Sequence, residues 1–366
     1  MQKVFRYRIY PTKSQGTKMA DTLELCRWTY NEMLAVRKNA YDQEGKSVSY
    51  YETKKLLPQW KEEKPELKGV HSQVLQEVAK RVDLAYQAFF RRVKAGEDPG
   101  YPRFKGYGRY DSFTYTQSGF SLKRGKLWLS KIGDIKIKLH RPVDGEIKRL
   151  NIRKMPTGKW FVSFLVEVEP DDLLPKIESS VGVDVGLKSF ITLSNGDRVD
   201  NPRFFVQEEK ALAKAQRKFS KAPKGSSGRD EALKVVHRVH ERIANKREDF
   251  VQKLSTSLVK SYDLIVFEDL NIKSMVKNHC LAKHIADAAW SKLIATTSYK
   301  AEWAGKRVEL VNPSNTSQTC SGCGQMVLKS LSERVHQCPF CGLTLDRDHN
   351  AAINILRLGL QSVAKA

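Results

Sequence analysis

The sequence predicts an α/β chain: a first strand, a helical segment, a small basic β-barrel or meander, and then an α/β domain carrying a cysteine module. Three observations predict it. Short apolar segments punctuated by Gly and Pro fill residues 91–160, helical periodicities flank them, and the second half sets apolar strand patterns beside long helical ones. At 366 residues the chain has room for two or three domains with their own cores. An apolar content of 40% excludes wholesale disorder.

Phe5, Tyr7 and Ile9 alternate with Arg6 and Arg8 as in a strand, and Pro11 ends it. Met19, Leu23, Cys26, Tyr30 and Met33 then fall at helical spacing, as do Val74, Val78, Val82, Ala85, Phe89 and Val93. Pro58 and Pro65 break the chain between these two helices. Residues 91–160 contain 18 Lys+Arg and 6 Asp+Glu, a net +12 in about a fifth of the chain. Strand-like pieces there include Ser112–Thr116, Lys126–Leu129 and Ile135–Leu139. Just before them, Tyr101, Phe104 and Tyr107 interleave with Arg103 and Lys105, offering stacking faces beside phosphate-binding charge. A further helical region covers 204–258, broken near Lys221–Gly228. On it Lys234, Arg238, Arg242, Lys246 and Arg247 form a basic stripe, either a solvated face or a phosphate contact.

The whole chain has 64 Lys+Arg against 41 Asp+Glu, a formal +23, so a polyanion is the first partner to expect. No run approaches the roughly 20 apolar residues that span a bilayer, and the first residues lack a secretory hydrophobic region. The expectation is an intracellular protein with no membrane partner. Six cysteines then read as metal ligands or packing residues rather than disulfides. Cys26 and Cys280 lack a partner motif and are expected to pack.

Three acids stand in strand-like or helical settings far apart in sequence. Asp184 lies in Val181-Gly182-Val183-Asp184-Val185-Gly186, followed by Phe190–Leu193 and a Ser194-Asn195-Gly196-Asp197 turn, which reads as a hairpin opening a new domain. An Asp inside an apolar strand is costly unless paired or metal-bound; otherwise it is a turn or edge residue. The second acid closes Leu264-Ile265-Val266-Phe267, where Glu268 and Asp269 both follow a buried strand, and functional groups collect at such strand ends. The third lies in Asp346-Arg347-Asp348-His349-Asn350. From Asp348, steps of four and seven reach Ala352 and Ile355, so its side chain shares an apolar helix face. Asp346 or Asp348 is alternatively a plain N-cap. Converging carboxylates hold Mg²⁺ or Mn²⁺, and two such ions roughly 3.5–4 Å apart activate water and stabilise a leaving phosphodiester oxygen.

Cys320-Ser321-Gly322-Cys323 and Cys338-Pro339-Phe340-Cys341 are separated by 14 residues, with Gly324 and Gly342 after the second cysteines. Paired knuckles of this kind fit one structural zinc held by four thiolates.

In the order GVDVGLKSF, IVFEDLNIKSM, TSQTCSGCG with CPFCG, and DRDHNAAINI, the chain closely resembles TnpB, the RNA-guided nuclease of bacterial and archaeal insertion sequences, regarded as ancestral to type V CRISPR effectors. The likeness extends upstream through ERIANKREDF and FFRRVKAGEDPGYPRFKGY. It implies a RuvC-like domain of the RNase H superfamily at 178–314 and 344–366, interrupted by a zinc ribbon at 315–343 that binds target nucleic acid. It further implies a wedge barrel from 1–12 and 94–177, with a helical recognition lobe at 13–93 inserted. Asp184, Glu268 and Asp348 become the catalytic ligands of two Mg²⁺ (or Mn²⁺) ions, with Glu268 preferred to Asp269 on the family pattern. Cys320, Cys323, Cys338 and Cys341 become the Zn²⁺ ligands. The implied partners are a noncoding guide RNA and double-stranded target DNA read beside a short motif, in the cytoplasm of a bacterium or archaeon, with a monomer favoured. A transposase performing strand transfer would use the same metals, and a nuclease-dead RNA-guided repressor would have lost an acid, which this chain has not.

Overall fold

The computed structural model describes residues 1–123, 125–169, 174–330 and 333–365. The chain forms two compact units that divide after Glu169.

In the first unit, β1 (Gln2–Tyr10) is followed by α1 (Lys13–Glu44), α2 (Tyr50–Lys55), α3 (Leu57–Glu63), a 3₁₀ turn at Pro65–Gly69 and α4 (Ser72–Lys94). Six strands complete it: β2 (Ser112–Tyr115), β3 (Phe120–Lys123), β4 (Lys126–Leu129), β5 (Gly133–Lys138), β6 (Glu146–Lys154) and β7 (Trp160–Glu167). They form one seven-stranded sheet in the order β2-β6-β7-β1-β5-β4-β3. β1 lies at its centre, antiparallel to both β7 and β5, with Gln2 opposite Glu167 and Arg8 opposite Lys138. Its alternation works as the sequence suggests: Tyr7 and Ile9 are buried, while Arg6 turns away and lies over the Phe161 ring. The sheet is a nearly closed barrel, because its two edges curl toward each other. Tyr115 at the end of β2 donates its hydroxyl to Ser130 O just beyond β4, and its ring meets Phe120 of β3.

Thr12 and Gln15 form a reciprocal capping box that starts α1 directly after Pro11, and Gly45 ends the helix with a positive φ. Met19, Leu23, Cys26, Tyr30 and Met33 are buried along it. Pro58 and Pro65 begin α3 and the 3₁₀ turn, where a missing N–H is harmless. On α4 the buried stripe of Val74, Val78, Val82 and Tyr86 stops a turn early, since Val93 is 49% exposed. Asn31 and Arg27 of α1 hold the main chain of Lys105, and the neighbouring Phe104 and Tyr107 are exposed.

The second unit contains β8 (Ser180–Val185), β9 (Ser189–Leu193), β10 (Arg198–Asp200), α5 (Phe204–Lys221), α6 (Ser227–Ser261), β11 (Leu264–Glu268), α7 (Ile272–Met275), α8 (Ala282–Ala288), α9 (Trp290–Trp303) and β12 (Arg307–Val311). It ends with β13 (Val335–Gln337), β14 (Thr344–Asp346) and α10 (Arg347–Lys365). A five-stranded sheet runs β10-β9-β8-β11-β12, with β8, β11 and β12 parallel and the β8-β9-β10 pairs antiparallel. Strand alternation gives the sheet two apolar faces. Val181, Val183, Ile265 and Phe267 pack with Leu258, Ile285 and Leu293, whereas Leu264 and Val266 pack with Ile355 of α10. Among the described residues no helix is long and apolar enough to cross a membrane.

Two expectations need correction. Cys280 is exposed between α7 and α8 and does not pack. The basic stripe of α6 is in part structural: Arg242 and Lys246 grip Glu208 of α5 at 2.9 and 3.1 Å, and Arg247 grips the buried Asp287 at 2.6 Å. Periodicity finds the cations but not the acids that other helices bring to them. Lys246 and Arg242 hold the Glu208 carboxyl below its usual range. Asp287 also accepts the Phe205 N–H at the start of α5. Arg247→Ala should therefore strand a buried carboxylate and destabilise the protein by about 3 kcal/mol in denaturant titration, whereas Arg238→Ala, on the exposed part of the stripe, should change stability by less than about 0.5 kcal/mol.

Candidate functional site

The second sheet brings two acids side by side. In the parallel β8-β11 pair, Val183 stands opposite Phe267, and the next residues of the two strands are Asp184 and Glu268. By alternation both project to the side of Gly182 and Val266, the side covered by α10. The helix lies unusually close there. A Cβ on Gly182 would sit 2.1 Å from Ala352 O and 2.6 Å from Leu356 N, and a Cβ on Gly359 would meet Val266. Ala352 and Ile355 are fully buried, so Asp348, one turn before Ala352, shares the face laid on the sheet.

The electrostatics follow from that placement. Burial first, then the charges of Glu268 and Asp348, push the Asp184 carboxyl well above the usual range, with Arg347 opposing. Burial also raises Glu268, which is 8% exposed, while a hydrogen bond from Thr316 Oγ1 to its Oε1 at 2.5 Å lowers it. Asp269 is exposed. Asp346 takes the capping role, its Oδ1 accepting the Asp348 N–H at 2.9 Å and its other oxygen pairing with Arg198. Asp348 is thereby left to face the acids, held by Arg347 at 3.1 Å.

The four motif cysteines also come together. Their sulfurs lie within 4.8 Å of one another, with Cys320 to Cys341 and Cys323 to Cys338 at 3.6 Å. A tetrahedral ion with Zn–S bonds of about 2.3 Å needs sulfurs about 3.8 Å apart, so the donor set fits zinc. Gly324 and Gly342 adopt φ of 78° and 75° and return their N–H groups to Cys320 O and Cys338 O, which closes each knuckle. At Cys338 burial works against thiolate formation, but N–H groups of Cys341 and Phe340 and the neighbouring sulfurs bring the thiol down to about 6.

The comparisons with known proteins agree with one another. A family profile described as "Probable transposase" matches residues 163–279, a "Cas12f1-like, TNB domain" profile matches 290–355, and a "Helix-turn-helix domain" profile matches 1–46. A "Putative RNA-guided DNA endonuclease" of Streptomyces pristinaespiralis is 36% identical over 376 residues, spanning 100% of this chain and 91% of the relative. The chain belongs to the TnpB family. Escherichia coli K12 InsQ, described in the same words, is 31% identical over 377 residues, covering 98% of this chain and 92% of InsQ. The fold is shared with the Cas12f1 chain of a cryo-EM complex with sgRNA and target DNA, at a TM-score of 0.60, 12% identity and coverage of 97% and 98%. In this TnpB chain the segment matched as helix-turn-helix is a strand followed by one long helix.

Several residues that build the site were not singled out from the sequence. Gly182 and Gly359 set the distance between α10 and the sheet, yet a glycine in an apolar run gives no sign of whether it bends the chain or admits a neighbour. Thr316 is 48 residues from Glu268. Asn350 and Asn354 are i, i+4 polar positions in a stretch, residues 350–356, that is otherwise Ala, Ile and Leu, so the sequence places both on one side of the helix.

Proposed function

We propose that this TnpB chain is an RNA-guided DNA endonuclease that hydrolyses target phosphodiesters at a single RuvC-like site. Asp184, Glu268 and Asp348 are its catalytic acids and the ligands of two Mg²⁺ (or Mn²⁺) ions. The observation that carries the reading is the partly buried Asp184 carboxyl lying among two further carboxylates with one arginine in opposition. Hard carboxylate oxygens suit these cations, and a divalent charge relieves their mutual repulsion. When bound, such an ion pair supplies an activated water and stabilises the leaving oxygen. The protein's part is to orient: β8 and β11 fix two acids in register, α10 delivers the third, and Asp346 satisfies the helix end so that Asp348 need not.

The names of the Streptomyces and Escherichia coli relatives support RNA guidance and DNA as the substrate. In this reading 178–314 and 344–366 form the nuclease, 315–343 is a structural zinc ribbon that touches target nucleic acid, 1–12 and 94–177 form the wedge barrel, and 13–93 form the recognition lobe. The net +23 then serves a noncoding guide RNA and a double-stranded target with its adjacent motif. A strand-transfer reading draws on the profile described as "Probable transposase".

One experiment separates the two. The protein purified with its co-purifying RNA is expected to cut a duplex matching that RNA when Mg²⁺ is present, and to lose this activity after ribonuclease treatment. Strand transfer of element ends that persists without RNA would favour the transposase.

A further inference from the structure

We propose that Thr316 is a positioning residue for Glu268, and that α10 holds it there by clasping the main chain leading into the first zinc knuckle. The inference rests on the reading of Glu268 as a metal-binding acid.

Glu268 ends its strand, so little of the sheet lies beyond it to fix its side chain. The Thr316 hydroxyl does so. It donates to Oε1 at 2.5 Å and lies 3.1 Å from Pro313 O. Its single hydrogen is best given to the charged acceptor, which fixes one carboxylate oxygen and leaves the other for a cation. Thr316 is 5% exposed but belongs to no strand or helix, so something else must hold it.

That support comes from α10. Asn354 donates to Thr316 O at 2.9 Å and to Thr319 O at 2.6 Å. Asn350 donates to Thr319 O and accepts the Ser321 N–H, and Arg357 reaches Ser321 O. Both asparagines are buried. Residues 350, 354 and 357 form one stripe of the helix, and 348, 352 and 355, roughly 160° further around at 3.6 residues per turn, form the stripe on the sheet. One rigid element thus places Asp348 directly and Glu268 through Thr316. The main chain it clasps, from Thr316 to Ser321, contains Cys320, a predicted zinc ligand.

The test uses the full-length, zinc-loaded protein stripped of nucleic acid and titrates Mn²⁺, following the free-ion signal by electron paramagnetic resonance. Thr316→Val is expected to weaken Mn²⁺ binding about 10–100-fold, with Thr316→Ser close to wild type. Asn354→Leu should weaken binding similarly, and the Thr316→Val/Asn354→Leu double variant no further, because both act through one contact. Glu268→Gln is the reference. If Glu268→Gln weakens binding while Thr316→Val and Thr316→Ser both match wild type, the positioning role is wrong and the metal reading stands. If Glu268→Gln itself binds Mn²⁺ normally, the metal reading fails and the inference falls with it. Should Thr316→Val not fold, Asn354→Leu carries the test, and normal Mn²⁺ binding by that variant would overturn the clasp.

Discussion

Asp184→Asn is expected to slow guide-directed DNA cleavage by at least about 10³-fold while leaving guide RNA and target binding intact. The same change should raise the thermal midpoint of the metal-free protein at neutral pH. The Asp184 carboxyl is raised in the folded state by burial and by Glu268 and Asp348. The unfolded chain ionises it near its ordinary value of about 3.9. As pH climbs from there through the raised folded value, the unfolded state gives up its proton first, and the native state loses stability. Above the folded value the penalty is complete. Asparagine never pays it, so the gain in midpoint should be largest at neutral and alkaline pH and vanish near pH 4. Saturating Mg²⁺ should erase it by stabilising only the protein that keeps the acid. A variant that melts lower than wild type at neutral pH without metal would contradict this account of the acids, and one that cuts DNA normally would remove Asp184 from the chemistry.

Gly182→Ala is the second large effect, and it acts without removing any polar group. The new methyl would lie 2.1 Å from Ala352 O and 2.6 Å from Leu356 N. Both are backbone atoms of a helix, so no rotamer change relieves the clash and α10 must move outward as a body. Overpacking of this kind costs about 1–3 kcal/mol. The displacement carries Asp348 away from Asp184 and Glu268, and misplacing a reacting group by about 1 Å costs on the order of 10²-fold in rate. Gly228→Ala in α6, where nothing lies within 4 Å of the added carbon, is the control and should leave both stability and cleavage near wild type. Equal cleavage by the two variants would show that the close seating of α10 does not set the site.

The local logic of the chain was open to reading. The strand alternation of Phe5, Tyr7 and Ile9, the apolar run into Glu268, and the helix face shared by Asp348, Ala352 and Ile355 all follow from periods of two and 3.6. The cysteine spacing carried its own geometry. Nonlocal information was out of reach. Glu268 and Asp269 look alike in sequence, and only the pleat sends one onto the α10 side and leaves the other exposed. Asp346 and Asp348 both suit a helix start, and only the Asp348 N–H turned toward Asp346 assigns the cap. The α6 cations read as a possible nucleic-acid stripe because Glu208 and Asp287, which engage three of them, sit 34 to 40 residues away on other helices. Residue types announce that a charge must be answered; they do not say by what.

The central place of β1 in the seven-stranded sheet bears on how the protein is made. Its partner β7 reaches Glu167, some 160 residues later, so at translation rates of 5–20 residues per second the first strand waits roughly 8–30 s for that neighbour. For most of that wait, until its other neighbour β5 is made and Lys138 can meet Arg8, it is an unpaired β segment with Phe5, Tyr7 and Ile9 along one side, the kind of sequence that nascent chains pair with wrongly. Lys3, Arg6 and Arg8, interspersed among those residues, supply the charge that discourages such pairing. Some of the basic excess of this chain therefore protects it before any nucleic acid is bound.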